Sequence, residues 1–123
     1  MLKIMTIGAG GFLGTTFRYL LTLLLGRLSL AFPWNTFVVN AVGCLTLGVI
    51  IGLAESRWDT SHGAYHFLTW GLIGGFTTFS AFTYETLALL RNGLPLRATG
   101  NLVLTIVVGL IALCVGERLG RLL

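Results

Sequence analysis

Hydrophobic residues in this chain fall into four long runs, separated by short polar stretches. The runs cover about 4–26, 34–54, 65–90 and 98–116, each close to the roughly 20 apolar residues that cross a bilayer as a helix. The second and fourth contain no charged residue, and Pro33 stands where a helix over the second would start. Arg18 lies inside the first run and Glu85 in the last third of the third. The connections cover about 27–33, 55–64 and 91–97, and the middle one is richest in polar and turn-forming residues. The pattern predicts one all-α membrane domain over 1–123 with four transmembrane helices and no linker or low-complexity tail.

Composition agrees with that class. The chain is 55% hydrophobic and 10% charged, against about 25% charged in ordinary soluble domains. So little polar surface would not cover a core in water, but lipid requires no such cover. The net charge of +4 does not indicate nucleic acid, because the eight basic residues are spread singly and mostly sit where apolar runs end. Cys44 and Cys114 lie within apolar runs, with no zinc spacing, redox pair or disulfide framework around them. The N-terminus carries one lysine and no clear cleavage site, so it is expected to be a first membrane helix rather than a removed signal.

Glycine occurs 17 times, and Gly10/Gly14, Gly48/Gly52, Gly71/Gly75 and Gly116/Gly120 share a four-residue spacing. In lipid such pairs let helix backbones approach closely. The flanking charges are nearly balanced. Lys3, Arg57, Arg118 and Arg121 fall on one side of a four-span arrangement, and Arg27, Arg91 and Arg97 on the other. Either one residue sets the orientation, or both orientations insert and pair as an antiparallel dimer. Four short helices alone hardly enclose an ion path, so an oligomer is expected on either reading.

The polar residues within the runs carry the chemistry. In the third run, Gly74-Gly75-Phe76-Thr77-Thr78 is poor continuous helix. A break there would free backbone carbonyls at mid-membrane, which a bound cation or cavity water can satisfy. The competing reading is a close-packed helix whose hydroxyls bond back to their own backbone. On the second run Thr36, Asn40 and Gly43 form a stripe. The Asn40 amide either glues two helices or donates to an anion. Phe76, Phe79 and Phe82 recur every three residues beside Thr78 and Ser80. Their positive ring edges can touch an anion without holding it too tightly, or they are ordinary packing. Arg18 either snorkels to the interface or lines a vestibule that concentrates anions. Asn101, Thr105 and Gly109 make a weaker stripe on the fourth run, and Glu85 could pair with an arginine near the membrane surface, its role being open.

Taken together, these blocks resemble the Fluc/CrcB fluoride channel family. The likeness rests on Gly10, Gly11, Gly14 and Arg18, on Asn40 with Gly43-Cys44, and most specifically on Gly-Gly-Phe-Thr-Thr-Phe-Ser-x-Phe from Gly74 to Phe82. The resemblance implies a passive fluoride channel of a bacterial plasma membrane that lowers cytoplasmic fluoride. It implies an antiparallel homodimer with two pores and a central structural Na⁺ held by the main-chain carbonyls of Gly74 and Thr77. The fluoride path would use the Asn40 amide and the edges of Phe79 and Phe82, with Ser80 providing a hydroxyl and Arg18 at the entrance. Thr105 keeps a hydroxyl-bearing position of that family. Ala81, Asn101 and Asn35 depart from its pattern, standing where Thr, Tyr and Gly are common.

Two other functions fit four short spans. A proton-coupled exporter of cationic drugs needs a carboxylate in the first span, where this chain has Arg18 instead. An accessory membrane subunit would need no ion path at all. No enzyme site can be assembled, since Gly8-Ala9-Gly10-Gly11 follows no strand and lies in a membrane run.

Overall fold

A computed structural model describes residues 1–26, 31–57 and 63–123. The described residues are helical apart from short turns, and they form four stretches. The first is α1 (Leu2–Leu25) and the second α2 (Trp34–Arg57). The third is composite: α3 (Gly63–His66), a π-helical segment (Phe67–Ile73), α4 (Gly74–Phe76), then α5 (Phe79–Arg91). The fourth is α6 (Pro95–Leu122). The helices outrun the predicted spans, most clearly α6, which extends well beyond the expected 98–116. Of the connections, 27–30 and 58–62 lie outside the described residues, while 55–57 and 63–64 are helical rather than loop.

The turn between α5 and α6 follows from two residues. Gly93 has φ +72°, where a side chain would be strained, and its N–H bonds to the Leu90 carbonyl at 3.0 Å. The Leu94 N–H reaches back to Leu89 O at 2.9 Å, which completes a Schellman cap. Pro95 then opens α6, where its missing N–H costs nothing.

The glycine pairs explain the packing. A Cβ on Gly48 or Gly52 would overlap the carbonyls of Leu113 and Glu117, and one on Gly116 or Gly120 those of Leu45 and Val49. Gly10 and Gly14 face the Phe67 and Leu72 carbonyls, while Gly71 and Gly75 face those of Ile7 and Gly11. Contact is therefore backbone to backbone and reciprocal. The residue numbers rise together on both partners, so α2 runs parallel to α6, and α1 runs parallel to the third stretch. The α2–α6 seam is the most extensive in the molecule. At its end Arg121 bonds Glu55 at 2.9 Å and also pairs with Glu117.

The outside is as apolar as the inside, where Val39, Ile50, Ile73 and Phe82 are buried. Thr36, Thr86 and Asn101 are buried, whereas Leu102, Val103, Ile106, Val107, Leu110 and Ile111 of α6 are exposed. α2 and α6 are both long and apolar enough to cross a membrane, and only 11% of the α6 window is buried. Apolar side chains turned outward, around an interior that also holds the polar groups, suit a lipid surrounding. This is a helical membrane protein.

Candidate functional site

The third stretch breaks where its composition predicts. Thr77 and Thr78 adopt extended backbone, with φ −76°, ψ 159° and φ −150°, ψ 116°. A continuous helix would give the Thr78 N–H to the Gly74 carbonyl. Here that N–H goes to Asn40 Oδ1 at 2.9 Å, and Asn40 Nδ2 donates to Thr78 O at 3.1 Å. The amide thus acts as a substitute peptide, pairing in both directions with the backbone at the break. The acceptor must be oxygen because Thr78 N–H can only donate, so the amide's orientation is fixed. One amide hydrogen serves Thr78 O, and the second has no protein acceptor among the described residues.

Thr78 also caps the helix that follows. Its Oγ1 accepts the Ala81 N–H at 3.3 Å and lies 3.4 Å from Ser80 Oγ. Thr77 bonds back to Ile73 O at 3.0 Å. Both expected behaviours therefore coexist: the helix is broken, and one of its two threonines still satisfies its own upstream turn.

The α2 stripe faces this break along its length. Gly43 makes room for the Thr77 methyl and the Phe76 ring, Asn40 meets Thr78, and the Thr36 hydroxyl donates to Glu85 Oε1 at 2.7 Å. Among the described residues Glu85 is thus held by Thr36 and by no arginine. Its Oε2 is buried with no hydrogen-bond partner among the described residues.

Two cavities flank the wall formed by Thr78. One, of about 290 Å³, is lined by Asn40, Gly43, Cys44, Phe79, Phe82 and Thr105, with aliphatic side chains between them. Phe82 is 6% exposed and Phe79 77%, with ring centroids 5.8 Å apart and planes tilted by 49°. A buried ring thus sits behind one that projects at the cavity mouth. The other cavity, also about 290 Å³, is lined by Thr15, Arg18, Thr22, Thr36, Thr78 and Glu85, among others. The Arg18 guanidinium is half-buried there and donates to Thr77 O at 3.3 Å. Of the expected site residues, Asn40, Phe79, Phe82 and Thr105 come together in the first cavity. Arg18 faces the second. Ser80 is exposed on α5 and lines neither.

Sequence reasoning passed over one buried pair. Asn101 is 1% exposed and donates from Nδ2 to Thr86 Oγ1 at 2.8 Å, tying α6 to α5. The signal was present, since an amide in a charge-free run needs a partner.

Among the described residues no group of three or more His, Cys, Asp or Glu is placed to hold a metal. Main-chain oxygens at the break are the available hard donors. The Gly74 carbonyl has lost its usual helical donor to Asn40, and the Thr77 carbonyl is shared with a guanidinium at 3.3 Å. Such oxygens fit a small hard cation.

Comparison with known proteins gives one consistent result. Residues 5–117 match the family described as CrcB-like protein, Camphor Resistance (CrcB). A fluoride-specific ion channel FluC of Methylobacillus flagellatus is 44% identical over 124 residues, covering 99% of this chain and 97% of the relative. Proteins of the same name from Chloroflexus aurantiacus and Clostridium perfringens are 41% and 35% identical, covering 98% and 100% of this chain and 97% of each relative.

Proposed function

The chain belongs to the CrcB family, and from that membership we propose that it is a fluoride-specific ion channel that lets the ion leave the cytoplasm passively. One observation carries the reading: the cavity beside the helix break combines an amide with a spare N–H, two phenylalanine rings and a threonine hydroxyl. Fluoride is small and strongly hydrated. A path for it must replace water with donors at close range and still let the ion go. Asn40 supplies a strong donor. The edges of Phe79 and Phe82 supply weak positive contacts that do not trap the ion. Arg18, across the Thr78 wall, adds a positive charge that draws anions towards the break.

The working unit we infer is an antiparallel homodimer of four-span subunits in a bacterial plasma membrane, with two pores per dimer. The exposed face at Phe79 is where a second copy would close the path. A structural Na⁺ would be held at the centre by the Gly74 and Thr77 carbonyls, where it offsets the repulsion between two anion paths. Arg18 donates to one of those carbonyls, leaving that oxygen a second lone pair for the ion.

The test is efflux from liposomes containing the purified protein, followed with fluoride and chloride electrodes. Rapid fluoride release with negligible chloride leak, unaffected by a proton gradient, is expected. Well-folded protein that releases no fluoride overturns the channel reading.

A further inference from the structure

Six threonines, from Thr6 in α1 to Thr86 in α5, give their hydroxyl hydrogen to the carbonyl four residues earlier at 2.8–3.0 Å. Thr83 shares its hydrogen between Phe79 O at 3.1 Å and Ser80 O at 3.0 Å, while Thr15 and Thr36 reach partners on other helices. Thr105 does none of these. Its Oγ1 lies 3.5 Å from Asn101 Oδ1, the side chain rather than the backbone of the residue four positions back. The Asn101 amide cannot be turned round to undo this. Thr86 uses its only proton on Phe82 O at 2.8 Å, so its oxygen must accept, and the Asn101 atom 2.8 Å away must be the nitrogen. Oδ1 then necessarily faces Thr105. At 3.5 Å the contact is longer than the roughly 2.5–3.0 Å of a firm O–H···O bond. The Thr105 proton is held loosely, on the wall of the cavity that also holds Asn40, Phe79 and Phe82.

We propose that Asn101 is a positioning residue that keeps the Thr105 hydroxyl off its own helix backbone, so that the hydroxyl can donate to an anion in the Phe79–Phe82 cavity. The proposal rests on the channel reading. A hydrogen bond to an anion is shorter and about twice as strong as a neutral one. An arriving ion therefore takes the proton's direction from the Asn101 oxygen, and the hydroxyl swings back when the ion leaves. The proton stays on Thr105 throughout. Without Asn101, Thr105 would bond the residue-101 carbonyl, as those six threonines bond theirs, and the cavity would lose a donor. Thr86 keeps its bond to Phe82 O in either case.

The experiment is a double-mutant cycle in the liposome assay with Asn101→Leu, Thr105→Val and the double variant, alongside Thr105→Ser. Each of the first two should slow fluoride efflux about tenfold. The double should be no slower than either single, and Thr105→Ser should stay near wild type. Methyl NMR of threonine-labelled protein should show the Thr105 side-chain rotamer change in Asn101→Leu. Should leucine prevent assembly, the more pliable methionine takes its place in the same cycle. Wild-type efflux in Asn101→Leu, independent losses that multiply in the double, or an unchanged Thr105 rotamer each overturn the proposal while leaving the channel intact. A wild-type protein that passes no fluoride removes both.

Discussion

Asn40 commits one amide hydrogen and its oxygen to Thr78, so any substitution acts on the helix break and on the cavity together. Asn40→Asp keeps the acceptor for Thr78 N–H. It sets a second oxygen against Thr78 O and puts a negative charge on the anion's route. Fluoride efflux should fall at least about a hundredfold, a barrier higher by about 2.7 kcal/mol, with the oligomer unchanged on size exclusion. The pair Phe79→Ile with Phe82→Ile removes both ring edges at similar bulk and should abolish flux in the same assay, again without loss of assembly. Normal flux in either protein would take those residues out of the path. At this scale the sequence revealed which residues were unusual but not what they touch. Asn40 is conspicuous as an amide in a charge-free run, yet its partner lies 38 residues away and is a backbone, which no side-chain pattern marks. For Glu85 the sequence left the role open, with an arginine as one partner it could take. Among the described residues its partner is Thr36, which the α2 stripe brings to it.

The helix break and the glycine seams belong to the scale of elements. The break was legible because Gly-Gly followed by two threonines is unfavourable in a helix interior, and each residue states its preference locally. The four glycine pairs were equally legible as close-packing surfaces. Which pair meets which was not, since all four share one spacing and the choice depends on the complete bundle. Gly116→Ala tests the seam. Its methyl would press on the Leu45 carbonyl, a backbone atom that cannot rotate away. A loss of about 1–3 kcal/mol is expected, read as a lower melting temperature in detergent. Gly100 has open space around its missing side chain. Gly100→Ala should be neutral or raise stability by up to about 1 kcal/mol through helix propensity alone. Equal melting of the two variants would mean that the seam does not hold the helices together.

For the whole molecule, the near balance of flanking charges underlies the proposed antiparallel pairing. A reporter fused to the C-terminus should give signal on both sides of the membrane. Two added lysines beside Lys3 should drive it to one side and stop fluoride efflux. Co-expression with a copy biased the opposite way should restore efflux. Signal from one side only in the unaltered protein would rule out dual insertion.

The parallel seams also set a timetable for biosynthesis. α1 cannot bury its glycine face until the third stretch has been made, and α2 must wait for α6, two hydrophobic stretches later in the chain. At about 5–20 residues per second, α2 therefore spends several seconds in the bilayer without its main partner. No three-helix fragment can complete both seams, so a stalled or truncated nascent chain keeps a bare strip of backbone turned towards lipid. Such a strip distinguishes an unfinished molecule from a finished one, and membrane quality control can act on that difference before any ion has crossed.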